Sequence, residues 1–465
     1  MNLNEIKDTL RRYGQDHLHG FWDQLSAPQQ QRLSAQLQGI DFELISRLAT
    51  GEHREQDWQS LAARAQSPPA FRLEGKANRF TAEQARARAD KALRAGQLGA
   101  VLVAGGQGSR LGFAHPKGLY PIGPLSQRTL LQMHIDQLRA IARRYRVHVP
   151  LYLMTSPATH AETIEFLRQH HQFGLDEDDL HIFCQGTMPA VDTRTGRLLL
   201  ASSGEVFLSP DGHGGTLAAL QGSGCLDDMQ RRGIRQLYYF QVDNPLVSIC
   251  DPELVGYHLL SESEMTTQVI AKQHPLEKVG NVVMADGRMM VIEYSDLPPE
   301  QAERRNPDGS LTFWAGSIAV HVFDVDFLNR MAQASESLPF HRAHKTVPFV
   351  DESGRLVTPS EPNVIKFERF IFDLMPAAKN AIVVESAEAE TFAPLKNARG
   401  AAKDTPETTR QAISDKHKRM LQAIGAQVAD GIVVEINPLF ALDAAELRRK
   451  IESGASIERN TYFDE

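Results

Sequence analysis

Five glycines and two cations crowd into fourteen residues, Gly105-Gly106-Gln107-Gly108-Ser109-Arg110-Leu111-Gly112 and, shortly after, Pro116-Lys117-Gly118. A segment this poor in side chains lets backbone N–H groups approach an anion closely, and Arg110 and Lys117 set positive charge beside it. A tight turn alone accounts for a pair of glycines, but not for five with two cations among them. The order of residues argues against two familiar phosphate sites. A P-loop opens its helix with Gly-Lys-Ser/Thr, whereas Lys117 stands between Pro116 and Gly118. A dinucleotide fingerprint needs a third glycine where Leu111 stands, and an acidic residue closing the second strand where this chain has Thr155-Ser156. What remains is a loop suited to neutralising a triphosphate while one phosphoryl group is attacked.

The elements around this loop must hold it in place. Leu98 to Ala104 is a continuous apolar run bounded by glycines, which predicts a strand buried on both faces of a parallel sheet. The loop then falls at the strand's C-terminal end, where open α/β sheets bind ligands. Helical patterns at Thr129 to Tyr145 and Thr159 to His170 alternate with strand-like Val149 to Met154 and Leu180 to Cys184, and Gln236 to Val242 follows a further helix. That alternation predicts an α/β fold with βαβ units. From Thr267 to Val322, shorter strands with turns at Asp286-Gly287 and Asp308-Gly309 predict an antiparallel extension. Upstream, Leu18, Phe21, Trp22 and Leu25, then Leu33, Leu37 and Ile40, are spaced as amphipathic helices, and Thr81 with Gln84 marks the start of a helix to about Ala95. Beyond residue 385 a polar stretch, Asn397 to Thr409, leads into a helix and a mixed tail. The expected organisation is a helical N-terminal segment (1–95), a central catalytic domain (96–385) and a small C-terminal domain (386–465).

With 465 residues, 42% hydrophobic and 23% charged, the chain has globular composition and ample length for a hydrophobic core. Its net charge of −8 argues against nucleic acid or an anionic membrane as partner, so an anionic ligand must be met by a local basic cluster. Cys184, Cys225 and Cys250 show no C-x-x-C spacing and are expected to be small buried filler. No apolar run approaches a membrane span, and Glu5 and Asp8 interrupt what would be a signal-peptide core, so a cytoplasmic protein is expected.

Further motifs occur in order along nearly the whole chain. They are Gly14-Gln15-Asp16-His17-Leu18, Phe21-Trp22, Gln185-Gly186, Pro210-Asp211-Gly212-His213-Gly214-Gly215, Val242-Asp243-Asn244, Glu293-Tyr294-Ser295, Lys366 to Asp373, Pro394-Leu395-Lys396-Asn397-Ala398 and Glu435-Ile436-Asn437-Pro438-Leu439. With the glycine loop, this set resembles the eukaryotic-type UDP-sugar pyrophosphorylases, most closely the UDP-N-acetylhexosamine pyrophosphorylases. The resemblance implies a Rossmann-like, GT-A-like nucleotidyltransferase core with a mixed sheet. It also implies the conversion of UTP and a sugar 1-phosphate to UDP-sugar and pyrophosphate, with Mg²⁺.

Roles follow from that resemblance. Arg110, Lys117 and Lys396 match the catalytic cations, and the loop glycines Gly105, Gly106 and Gly108 match the phosphate-binding backbone. Gln185, Gly212 and His213 match the positions that hold uracil and ribose; an amide both donates and accepts, as base reading requires. Asp243 matches the residue that meets the nucleotide and Mg²⁺, although an aspartate before Pro245 also suits a turn cap. Sugar contacts would fall to Gly280, Glu293, Ser317, Phe370, Phe372 and Lys366. Two phenylalanines at i and i+2 equally describe one face of a strand, and Lys366 equally describes a solvated lysine.

Two residues depart from the N-acetylhexosamine pattern. The family carries Asn-Ala-Gly-Asn where this chain reads Trp314-Ala315-Gly316-Ser317, and often Asn where it has His213. A hydroxyl does not reproduce both the donor and the acceptor of an amide. N-acetylglucosamine 1-phosphate is therefore the first expectation for the sugar, with glucose 1-phosphate or a broad range as the alternative. A nucleotide-sugar binding protein without turnover is the alternative of a different class.

Overall fold

In the computed structural model, which describes residues 3–50, 56–334 and 338–465, ten strands form one mixed sheet. They are β1 (Ala70–Phe71), β2 (Leu98–Val103), β3 (Leu151–Thr155), β4 (Leu180–Cys184), β5 (Gln236–Gln241), β6 (Met265–Ala271), β7 (Gly280–Ala285), β8 (Arg288–Ile292), β9 (Ala315–Asp324) and β10 (Ala381–Glu385). Their lateral order is β1-β10-β6-β9-β5-β2-β3-β4, with β7 pairing β9 and β8 pairing β7. Strands β5, β2, β3 and β4 run parallel, whereas β9 runs antiparallel to both β5 and β6. The chain therefore steps outward from β2 through β3 to β4 and returns to the other side of β2 with β5. The carboxyl ends of β2 and β5 flank that reversal, the crevice where open α/β sheets bind ligands.

Local sequence explains the elements that frame this point. Leu98 to Leu102 is buried without alternation, as expected for a strand covered on both faces. The Thr129 hydroxyl accepts from Gln132 N, capping helix Leu130–Tyr145, which packs Leu130, Leu131, Ile135 and Leu138 into the core. Thr81 and Gln84 form the expected capping box of helix Ala82–Arg94. That helix lies against Pro252–Leu260 so closely that a Cβ on Gly256 would stand 1.9 Å from the Ala85 carbonyl oxygen. Asp286 and Gly287, both at positive φ, form the two-residue turn of the β7–β8 hairpin, which only a right-twisted I′-type turn allows.

The described contacts gather the chain into two units. One comprises Met1–Asp57, Gln185–Gly215 and Glu336–Asp373; the other comprises Trp58–Cys184, Thr216–Ser335 and Leu374–Glu465. The first has its own core of Leu10, Leu18, Leu33, Leu37, Val191, Leu200 and Phe367, and the second is built on the large sheet. These units cut across the linear 1–95, 96–385 and 386–465 division, because long-range packing draws separated segments together. The 386–465 stretch nevertheless has a small cluster of its own, around Leu421, Val434, Ile436 and Leu447.

Two expectations are corrected. Leu18 to Leu25 is not one helix but two short 3-10 turns, Asp16–His19 and Trp22–Gln24, and the regular helix begins at Ala27 behind Ser26. Cys225 and Cys250 are buried as expected, but Cys184 is exposed, because it is the last residue of edge strand β4. No helix among the described residues is long and apolar enough to cross a membrane.

Candidate functional site

In the larger unit the glycine loop leaves β2 and folds back on itself. The Ser156 hydroxyl donates to Gly105 O (2.7 Å), Lys117 N donates to Gly106 O (3.0 Å) and Gly108 N donates to His115 O (2.9 Å). A Cβ on Gly108 would lie 2.7 Å from the Phe113 ring and 2.9 Å from His115 O, so the loop's own packing requires that glycine. Gly106 is exposed, and a Cβ there would meet nothing within 4 Å, so protein packing gives no reason for it. The bare backbone there is open to solvent. Arg110 is exposed on the 3-10 turn Ser109–Leu111.

Lys117 opens the turn Lys117–Leu119, and the next residue, Gly118, packs against Val242 and Leu131. That contact lays the turn over the end of β5, where the Lys117 Nζ stands 3.4 Å from Asp243 Oδ2. Register fixes the carboxylate: Gln241 pairs with Val103, and Val242 N donates to Val103 O. Both side chains are largely but not fully buried, at 18% and 14% exposure, so their charges are strengthened yet reachable.

Lys396 joins them through the backbone. Leu395 N donates to Asp243 O (2.8 Å), and Lys396 N and Asn397 N both donate to Asp404 O. Buried Asn244 holds the preceding segment: its amide donates to Thr391 O and accepts from Leu246 N and Ala393 N. Asn244 thus anchors the segment that carries Lys396, a role spacing alone did not assign. The Lys396 ammonium lies 5.6 Å from the Phe392 ring centroid. Burial raises the Asp404 carboxyl above its ordinary range, which the nearby Lys396 and Lys403 partly offset.

Three of the expected sugar residues also meet in this unit. Gly280 pairs directly with Ser317 across β7 and β9. A Cβ on Gly280 would lie 3.4 Å from Glu293 Oε1 and 3.8 Å from Ser317 Cβ, so both side chains border the open side of Gly280. Ser317 stands at an irregularity where the β6–β9 register shifts and Ala319 takes positive φ, and its Oγ accepts from Ala319 N at 3.4 Å.

In the smaller unit the remaining candidates assemble around an ion pair that motif reading left without a role. Buried Asp211 accepts from Arg369 (Nη2–Oδ2, 2.5 Å), Arg369 N donates to Asp211 O, and Gly214 N donates to Arg369 O. A Cβ on Gly212 would clash with Arg369 O, and one on Gly215 with Asp211 Oδ1. Asp211 N also donates to Gly186 O at 3.3 Å, so Gln185-Gly186, Gly212-His213 and Arg369-Phe370 form one arrangement. His213 packs against Phe370 and Phe372, ring centroids 5.2 and 5.5 Å away, and its Nδ1 accepts from Ile371 N. Burial, with help from nearby His341, pushes the His213 imidazole down to about 4, so it is neutral at physiological pH. His341 is bonded to Asp373 (2.8 Å) and packs on Phe370. Lys366 stands apart from this aromatic group: its ammonium lies 5.2 Å from the Phe207 ring, and burial lowers its pKa.

Among the described residues, no group of three or more His, Cys, Asp or Glu is placed to hold a metal ion. The chain is matched over residues 49–426 by the family described as UTP-glucose-1-phosphate uridylyltransferase. It is 38% identical over 446 residues to the human UDP-N-acetylhexosamine pyrophosphorylase-like protein 1, covering 92% of this chain and 87% of that protein. It is 37% identical over 355 residues to the Saccharomyces cerevisiae UDP-N-acetylglucosamine pyrophosphorylase, covering 75% and 74% of the two chains. The fold matches the crystal structure of the Trypanosoma brucei uridine diphosphate N-acetylglucosamine pyrophosphorylase with a TM-score of 0.82 at 25% identity, covering 100% of this chain and 99% of that one.

Proposed function

The chain belongs to the UTP-glucose-1-phosphate uridylyltransferase family, and on that premise we propose that it converts UTP and N-acetylglucosamine 1-phosphate to UDP-N-acetylglucosamine and pyrophosphate. A sugar phosphate oxygen attacks the α-phosphorus of UTP in line. A new P–O bond forms, the bond to the α–β bridging oxygen breaks, and its electron pair leaves on pyrophosphate. Such transfer needs positioning and charge neutralisation, with no covalent protein nucleophile. The observation that carries this reading is the Lys117–Asp243 pair at the flanking ends of β2 and β5.

In this reading Lys117 makes the largest catalytic charge contribution at the triphosphate. Arg110 assists from the exposed turn, and Lys396 meets the sugar phosphate and the departing charge. The backbone of Gly105, Gly106 and Gly108 cradles phosphate oxygens, while Gln185, Gly212 and neutral His213 read the uridine. By the family resemblance Gly280, Glu293 and Ser317 meet the sugar, and sugar roles for Phe370, Phe372 and Lys366 likewise rest on that resemblance alone. Asp243 suits Mg²⁺ in that it offers hard carboxylate oxygens partly open to solvent, as fits an ion that keeps waters and ligand phosphates. When bound, Mg²⁺ supplies further charge neutralisation on phosphate oxygens. The reading is of a cytoplasmic enzyme with small-molecule partners.

N-acetylglucosamine is favoured by what the similar proteins are named for, and the aromatic pair Phe370 and Phe372 would wall an N-acyl group. Ser317 favours a second reading, preference for glucose 1-phosphate or tolerance of several sugars, because its hydroxyl reaches less far than an amide. Pyrophosphate release from UTP with a panel of sugar 1-phosphates separates the two. A kcat/KM for N-acetylglucosamine 1-phosphate at least about tenfold above that for glucose 1-phosphate is expected, and the reverse order would favour the second reading.

A further inference from the structure

A buried cation lies behind the Gly280–Glu293–Ser317 cluster and has no part in the chemistry above. Lys272 follows the last residue of β6, yet it is only 7% exposed. Its backbone N donates to Trp314 O (2.8 Å), and its ammonium donates to Asn281 Oδ1 (2.6 Å) and Pro275 O (2.7 Å). Its stem lies against the other side of β9: a Cβ on Gly316 would meet Lys272 Cγ at 3.3 Å.

Asn281 extends the arrangement. It is fully buried, and with its oxygen taken by Lys272 its amide NH₂ points at Val279 O (3.3 Å) and Ile292 O (3.1 Å). Those carbonyls belong to the residues immediately before Gly280 and Glu293. Asn281 also pairs with Gly316, the neighbour of Ser317. One ammonium and one amide therefore fix the backbone beside each of the three groups expected to meet the sugar. A buried polar pair of this kind is costly to leave half-satisfied, so it holds one geometry.

We propose that Lys272, acting through Asn281, is a positioning residue that sets sugar recognition by holding Gly280, Glu293 and Ser317 in register. This rests on the assignment of that cluster to the sugar. Neither residue touches the triphosphate elements, so sugar binding is affected and UTP binding is not. Burial brings the Lys272 ammonium down to about 8, with Glu277 as the charged group acting against that shift. Above that pH the clamp loses its charge-assisted bonds.

The test compares wild type with Lys272→Met, Lys272→Arg and Asn281→Ser, measuring KM for N-acetylglucosamine 1-phosphate and for UTP, kcat, and the pH profile from 7 to 9.5. Calorimetric titration of each protein with UDP-N-acetylglucosamine and with UDP gives a readout independent of turnover. Lys272→Met is expected to raise KM for the sugar phosphate about tenfold, leaving kcat and KM for UTP within about twofold, and Lys272→Arg to recover most of the loss. Wild type is expected to lose sugar affinity above pH 8, and Lys272→Arg to stay flat. Should Lys272→Met fail to fold, Asn281→Ser and the wild-type pH profile give the same answer. Unchanged sugar KM and pH profile, or equal losses for sugar and UTP, would overturn the proposal while leaving the parent function standing. A wild type that neither turns over nor distinguishes UDP-sugar from UDP would overturn both.

Discussion

Ser317 pairs with Gly280, which the Glu293 carboxylate also borders, so under the proposed function one side chain there changes which hydrogen bonds the sugar is offered. Asparagine supplies both a donor and an acceptor, a gain of about 1 kcal/mol for one well-made bond. Ser317→Asn is expected to raise the kcat/KM ratio of N-acetylglucosamine 1-phosphate over glucose 1-phosphate about fivefold in the sugar panel; an unchanged ratio would remove Ser317 from recognition. At this scale the sequence was informative where chemistry and backbone freedom coincide. Lys117, Asp243 and the glycines could be picked out because their types are unusual for their places. Asp211, Arg369 and Lys272 could not: Asp211 and Arg369 owe their importance to a partner far along the chain, Lys272 owes its own to burial that spacing does not reveal, and an isolated Asp, Arg or Lys reads as solvated.

Secondary structure was legible where its signals are local. Thr81 with Gln84, Thr129 before an apolar-periodic run, and Asp286-Gly287 between two strands each specify their element through nearest neighbours. Leu18 to Leu25 misleads because its apolar spacing is helical, but Gly20 separates two short turns whose side chains are gathered by the core. Packing between elements is not local either. Gly256 in helix Pro252–Leu260 lets Ala85 of helix Ala82–Arg94 approach to backbone contact. Gly256→Ala is expected to force these helices apart and cost about 3 kcal/mol, seen by calorimetry as a lowered Tm. A Tm within error of wild type would mean that the helices part freely.

Over the whole molecule, burial keeps several histidines neutral. His134 and His213 are pushed down to about 4, and His258 and His417 to about 3. In the unfolded chain they titrate near ~6.5, so the folded state binds fewer protons below that pH and loses stability as pH falls. Their stabilisation is complete above ~6.5 and erodes towards 4 and then 3, by about 1 kcal/mol per histidine at pH 5.5. Asp136, which burial raises to about 6, His148, which Asp179 holds above its ordinary value, and the carboxyls of Asp251, Glu253, Asp324, Asp373, Glu388 and Asp404, which burial raises, act in the opposite sense. The four histidine losses are expected to outweigh these, giving a lower Tm at pH 5.5 than at pH 7, and an equal or higher one would contradict this. The grouping of 185–215 and 336–373 with the N-terminal helices belongs to the same scale. No composition shift marks it, because it arises from contacts between segments more than a hundred residues apart.

Uridylyl transfer centred on Lys117 and Asp243 is tested most directly by product analysis. UTP labelled at the α-phosphorus and N-acetylglucosamine 1-phosphate are incubated with wild type and with Lys117→Ala, at UTP concentrations that saturate both. Wild type is expected to carry the label into UDP-N-acetylglucosamine with one equivalent of pyrophosphate, and Lys117→Ala to do so at least about a hundredfold more slowly. A wild type that binds UTP yet forms no labelled UDP-sugar, or a Lys117→Ala variant as fast as wild type, would contradict it.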